Sequence, residues 1–275
     1  MKKILLAIFA SGLSMLGLAQ TDSTTEKADT IKIGNMVIIK KPGNDDRDGK
    51  GNKEVIITNR NRRRNSNITT NWAIVDLGFS NFNDQTNYGS AETQAFAPGL
   101  TKDGIKLRTA KSVNVNIWFF MQRLNVISHV VNLKYGLGLE LNNYHFDDKK
   151  VHFEKNPTLI TLDPDYADLK KNKLAADYLT VPMMLNFNFT PGRNRGFGFS
   201  AGVSAGYLYS SRQKIKGPEG KSKLKDDFNL RPWKLSYIGE LNLGPVKLYG
   251  SYATKSMWEK GFDHTPYNVG IRLSN

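Results

Sequence analysis

Few residues in this chain have the types and spacing to do chemistry. His145 and His152 lie in NNYHFDDKKVHFEK beside Asp147 and Asp148, His264 follows Asp263, and His129 stands apart from acids. Imidazoles next to carboxylates suit acid–base work or metal ligation, because the ring titrates near neutrality and the acid orients it. The supporting parts are missing. No serine sits in a nucleophile-elbow context and no HExxH occurs. The chain has no cysteine, which removes thiolate metal sites and thiol nucleophiles. The His–Asp stretches therefore read as solvated loop of mixed charge, and His129 as an interface residue at a short turn. The expectation is a protein that is not an enzyme and has no cofactor and no metal.

The second chemical set is ionic. Asp76, Lys134, Glu140, Lys234, Glu240, Lys247 and Arg272 fall on rows otherwise made of Asn, Gly and Ser. Three are acids and four are bases, so they can pair if those rows face one another, as buried charges must. Two basic runs lie outside these rows. NRNRRRN (59–65) contains Arg62, Arg63 and Arg64. RQKIKGPEGKSKLKDD (212–227), read as a loop, contains Lys214, Lys216, Lys221, Lys223 and Lys225. With a formal charge of +14, these are candidate contacts to an anionic surface such as lipid headgroups or lipopolysaccharide phosphates. Nucleic acid is not expected, since no zinc-finger, RNP-type or helix-turn-helix pattern occurs.

The elements that must position these residues are strands. From residue 71 onward the apolar period is two, with almost no helical periodicity. Eight segments alternate: 72–82, 112–122, 129–146, 177–189, 196–210, 233–243, 245–253 and 267–274. Their cores approach the roughly 9–11 residues that a tilted strand needs to cross a bilayer. Long and short connections alternate along the chain, so the long ones gather at one end, and the even strand count returns the C-terminus to its starting side.

Faces can be assigned from residue identity. Val113, Val115, Ile117 and Phe119, or Leu179, Val181, Met183, Leu185 and Phe187, form rows suited to lipid. Their opposite rows (Asn114, Asn116, Asn132, Gly136, Gly138, Thr180, Asn186) hold poor β-formers that a solvated outer face has no reason to prefer. Inside a narrow eight-stranded barrel such residues fit, because the lumen is just wide enough to be filled by side chains. Aromatics near segment ends, among them Trp72, Phe79, Phe82, Tyr144, Phe146, Tyr207, Tyr209, Trp233, Tyr252 and Tyr267, match interfacial girdles.

Residues 1–19 read as a secretory signal peptide, with Lys2 and Lys3, an apolar run from Ile4 to Leu18, and Gly17-Leu18-Ala19 before Gln20. Residues 20–70 are polar and breaker-rich around two β-prone runs, IKIGNMVIIKK and EVIITN, as expected of a periplasmic extension that is partly disordered and has little core. The barrel then occupies 71–275.

Taken together, DTIKIGNMVIIKK, NWAIVDLGFSNF, SVNVNIWFFMQRLNV, YLTVPMMLNF and DFNLRPWKLSYIGELNLGPVKLYGSYA make the chain resemble the PorT-like outer-membrane β-barrels of Gram-negative bacteria, of eight-stranded, OmpA/OmpX-like architecture. The resemblance runs from about residue 29 to 275. It implies an all-β, up-and-down barrel in the cell outer membrane, with the N-terminal extension and C-terminus periplasmic, and supplies no catalytic residues. One member type is linked to protein secretion. The expected role is a membrane-anchored scaffold or surface-binding protein, with secretion or envelope proteins as partners. A narrow pore or transporter, and a soluble ligand-binding barrel, remain the alternatives.

Overall fold

The computed structural model describes the backbone of residues 29–33, 36–40 and 55–59 and, beyond them, residues 66–191, 196–218 and 220–273. The leader at 1–19 and the cluster Arg62, Arg63 and Arg64 lie outside the described residues.

Two compact units divide the chain after Arg64. In the first, β1 (Asp29–Ile33), β2 (Met36–Lys40) and β3 (Val55–Asn59) form an antiparallel sheet in that order. The first β-prone run thus folds back on itself, Lys32 opposite Val37, and pairs with the second, Ile38 opposite Ile57.

The second unit is a closed antiparallel ring. Its wall consists of β4 (Ile68–Asp84), β5 (Val113–Ile127), β6 (Val131–His145), β9 (Lys171–Asn188), β10 (Phe197–Gly217), β12 (Trp233–Leu243), β13 (Val246–Ala253) and β14 (His264–Leu273). Between them lie α1 (Ala91–Phe96), the short pair β7 (Val151–Phe153) and β8 (Ile160–Leu162), and β11 (Gly220–Lys225). Each wall strand pairs with its neighbours, and β14 returns to β4 with Arg272 opposite Asp76 and Gly270 opposite Gly78. Closure leaves the ring without the unpaired edge that an open sheet would present.

The turns at one end are tight for local reasons. Ser128 and His129 both take positive φ (47° and 59°), and Val130 N–H donates to the Ile127 carbonyl at 2.9 Å, the type I′ geometry whose twist matches a hairpin. Between β12 and β13, Gly244 takes φ 78°, and Pro245 completes a two-residue turn.

Alternation sets the faces as expected. In β10, Ser200 and Ser204 are buried, whereas Phe199, Val203, Tyr207 and Tyr209 are exposed. The outward rows carry Leu179, Val181, Met183 and Leu185 of β9, with Val269, Ile271 and Leu273 of β14, all exposed. A continuous apolar band of this kind has no stable contact with water but suits hydrocarbon.

Several strands run further than their apolar pattern. β4 begins at Ile68 rather than at 71, because Ile68, Thr69 and Thr70 continue the ladder to Leu124, Arg123 and Gln122. β9 begins at Lys171, and β10 ends at Gly217. Residues 212–227 are therefore not an irregular loop. Lys214 and Lys216 lie in β10, and Lys221, Lys223 and Lys225 lie in β11, joined as a hairpin. Its apolar signal is weak because cations occupy the alternate positions.

The long connections also differ from the solvated loops expected. They fold into an apolar core over the barrel mouth, in which Phe96, Ile105, Phe153, Phe228, Trp258 and Phe262 are all buried. Tyr144 and Phe146 point into this core and are 1% and 2% exposed, so they do not belong to an interfacial girdle. Phe82 also packs here, its ring 6.1 Å from that of Tyr144. The physical reason is closure of the barrel end. An eight-stranded ring that ended in water would leave the last inward side chains unburied.

Candidate functional site

Alternation in eight strands directs one row of each into the lumen, and there the sequence-expected charges meet. On β4, Asp76 is fully buried. Arg272 of β14 donates to it twice, from Nε at 2.6 Å and from the terminal guanidinium at 2.8 Å. Trp118 Nε1 of β5 donates to the same carboxylate at 2.7 Å, and Asn116 Nδ2 at 3.2 Å. Arg272 also donates to Glu240 of β12, which pairs with Lys134 of β6. Deeper along the lumen, Glu140 of β6 pairs with Lys234 of β12 and accepts from Asn268 at 3.0 Å and Asn142 at 3.1 Å. The Lys234 ammonium lies 4.3 Å from the centroid of the Tyr178 ring. Thus Asp76, Glu140 and Glu240 are matched by Arg272, Lys134 and Lys234. Burial of these ions is tolerable because each is paired, and Asp76 and Glu140 accept further hydrogen bonds. Lys247, the remaining expected member, takes the inward row of β13 opposite Arg272 and Asn242.

A neutral layer continues the network. Asn114 Nδ2 donates to Asn116 at 3.0 Å and to Asn142 at 2.9 Å, and Tyr249 donates its hydroxyl to Asn114. Two large lumen residues, Trp118 and Tyr249, were not singled out by sequence, although the parity of each with its neighbours places it inward. Their rings account for two of the bare glycines. A Cβ at Gly138 would meet the Trp118 ring at 2.6 Å, and one at Gly78 would meet the Tyr249 hydroxyl at 2.4 Å. What remains open between Asp76, Glu140, Glu240 and Arg272 is a cavity of about 30 Å³, room for a single water.

The histidines divide. His264 is fully buried rather than in a solvated loop. Its ring stacks on Phe82 at 4.0 Å and on Phe262 at 4.7 Å. Trp258 Nε1 donates to its Nδ1 at 3.1 Å. An indole N–H only donates, so Nδ1 is unprotonated and the ring proton sits on Nε2, 3.4 Å from Asp84 Oδ1. Tyr88 donates to the other Asp84 oxygen at 2.8 Å. This cluster ties β14 to β4 at the long-loop end. His145 ends β6, and His152 packs edge-on against Tyr166 at 4.8 Å. Among the described residues, no group of three or more His, Cys, Asp and Glu is arranged to hold a metal ion.

The basic residues of 212–225 come together in a way the sequence reading missed. After an irregularity between Leu208 and Ser210 the facing of β10 resets, so that Ser211 and Gln213 are buried and Arg212, Lys214 and Lys216 point outward. Lys214 stands opposite Lys173 on one side and Lys223 on the other, and Lys216 opposite Lys171 and Lys221. The spacing of two in KNK (171–173), KIK (214–216) and KSKLK (221–225) was the available signal.

A closed ring of eight antiparallel strands, apolar outside and ionic within, defines a membrane-embedded β-barrel. Residues 61–253 match the family model described as outer membrane protein beta-barrel domain. The chain belongs to this family, and its eighth strand follows the matched stretch. No curated protein matches the chain.

Proposed function

We propose that this protein is a non-enzymatic outer-membrane anchor, a scaffold or surface-binding barrel of the PorT-like kind. Its short turns and N-terminal sheet lie on the periplasmic side, and its long-loop cap faces outward. Secretion or envelope-assembly proteins are the partners in this reading. The observation that carries it is the filled lumen. Paired charges, Trp118 and Tyr249 occupy the space that a conduction path would need, leaving about 30 Å³ at the level of Asp76, Glu140, Glu240 and Arg272, whereas water-filled channels belong to barrels of more strands. The buried His264–Asp84 pair supports a structural role, since both ring nitrogens face groups of the protein.

Single-channel recording in planar bilayers tests this reading. The expected result is no conductance above the bare membrane, together with co-purification of envelope proteins from detergent-solubilised membranes. Steady ion conductance that rises when Arg272 is replaced by a small residue would instead favour the narrow pore.

A further inference from the structure

The outer face of the long-loop end carries a concentration of cations that neither the lumen nor the anchor role uses. Arg108, Lys111, His145, Lys149, Lys170 and Lys171 line a concavity of about 240 Å³ with no carboxylate in its lining. The loop between β4 and β5 is held against the end of β6 by Arg108 N–H donating to the His145 carbonyl at 2.8 Å. Lys170 N–H likewise donates to the Lys216 carbonyl at 2.8 Å. The concavity thus continues into the cross-strand row His145, Lys173, Lys214 and Lys223. Like charges placed directly opposite destabilise a sheet, so the bare fold gains nothing from this arrangement. Burial, and then the charges of Arg108 and Lys111, hold the Lys149 ammonium below its ordinary pKa. The exposed Asp147 stands 3.6 Å from Arg108 Nε, and Asp177 engages Arg212 at 2.6 Å. Neither carboxylate contacts Lys111, Lys170 or Lys171.

Height in the membrane identifies the ligand. On β6 the outward residues run Leu139, Leu141, Asn143, His145, and His145 stands opposite Lys173 of β9, so the lysine rows begin at a register position four residues beyond the last aliphatic side chain of β6. At about 3.3 Å per residue and a tilt of about 40°, that is roughly 10 Å above the hydrocarbon edge, just beyond a headgroup layer about 5–7 Å thick, and long lysine side chains reach down into that layer. On β10 the exposed Tyr207 and Tyr209 precede the basic stretch that begins at Arg212.

We infer that this concavity and the adjoining lysine rows form a binding site for phosphoryl groups, set on the barrel wall where phosphorylated lipid headgroups lie. Several ammonium and guanidinium donors converge there, and a phosphate offers three acceptor oxygens and up to two negative charges to them. The inference deepens the surface-binding reading by naming the ligand class. It fails separately from that reading, because bilayer conductance reports on the lumen and not on this face.

The test uses the full chain in detergent, titrated with bisphosphorylated lipid A, with its dephosphorylated form, and with inorganic phosphate. Bisphosphorylated lipid A is expected to bind at least tenfold more tightly than the dephosphorylated form. The Lys149→Gln/Lys171→Gln variant is expected to lose at least tenfold of that affinity while keeping wild-type heat-modifiable gel mobility. Lys102→Gln/Lys260→Gln, on exposed loop lysines elsewhere, is expected to bind as wild type. Competition by inorganic phosphate at millimolar concentration would identify free phosphate as the source, and its absence a lipid headgroup. Equal binding of both lipid A forms, binding unchanged in Lys149→Gln/Lys171→Gln, or binding of no probe would overturn the site.

Discussion

Arg272, on the last strand of the barrel wall, meets Asp76, on the first strand of that wall, through two parallel N–H···O bonds of 2.6 and 2.8 Å across the seam where the ring closes. The two are direct register partners. The pair is thus both part of the lumen charge network and a clasp between the two ends of the barrel sequence.

Removing the guanidinium alone leaves Asp76 and Glu240 short of their shared cation inside the barrel. Arg272→Met is expected to lower stability by about 3–5 kcal/mol, the usual cost of stranding a buried charge. The double variant Arg272→Met/Asp76→Asn should lose less than the sum of its singles, because the stranded carboxylate is gone. Urea titration in detergent, read by heat-modifiable gel mobility, measures both. Additive losses would mean that the two residues do not act as a pair.

Neighbouring positions on β10 should respond to the same substitution for opposite reasons. Val203 is 37% exposed on the lipid-facing row and Ser204 is 4% exposed in the lumen. Val203→Arg is expected to cost about 2–4 kcal/mol in a bilayer, for a charge near the midplane. Ser204→Arg should cost about 1–3 kcal/mol through overcrowding, with little dependence on the lipid. Folding yields in bilayers of increasing thickness separate the two. If Val203→Arg folds into every bilayer like wild type, the assigned faces are inverted.

Glycine in the lumen rows is a steric requirement at several places, Gly78 and Gly138 among them. A Cβ at Gly138 would come within 2.5 Å of the Ile117 carbonyl as well as against Trp118, and one at Gly78 within 2.4 Å of the Val269 carbonyl as well as of Tyr249. Backbone atoms cannot yield as a side chain can. Gly78→Ala and Gly138→Ala are each expected to destabilise by about 1–3 kcal/mol, whereas Gly99→Ala, in a loop with open space around it, should report only the strain of its positive φ. Denaturant midpoints of the three variants provide the comparison.

At the rim, His264→Leu would leave the Trp258 N–H without its partner and remove the imidazole from Asp84 Oδ1, which keeps only the Thr86 N–H. The expected loss is about 1–3 kcal/mol, concentrated at the long-loop end. Limited proteolysis should therefore cut the cap of this variant while the barrel keeps its folded gel mobility. Loss of the folded barrel with no prior cleavage of the cap would show that the two unfold together.

Much of the wall was legible because a strand's period of two writes its two environments directly into the chain. Val269, Ile271 and Leu273 against Asn268, Gly270 and Arg272 show this in β14. The extra length of β9 and β10 was not legible, since Lys171, Lys173, Lys214 and Lys216 alternate charge with mixed residues instead of lipid-facing apolar ones. The cap was hidden for another reason. Phe96, Ile105, Phe153, Phe228 and Trp258 come from four separate connections with no common period, and only the chain's return to one end brings them together.

The sequence by itself determined that this chain makes eight alternating strands, which of their faces meets lipid, and that a mixed set of charges looks inward. These are local consequences of residue type and spacing. Tertiary structure decided which charges pair, that Trp118 and Tyr249 fill the room left by glycines, and that lysines from β9, β10 and β11 converge on one outer wall. Such contacts join residues far apart in the chain, and they depend on strand register and ring closure, which are properties of the whole barrel.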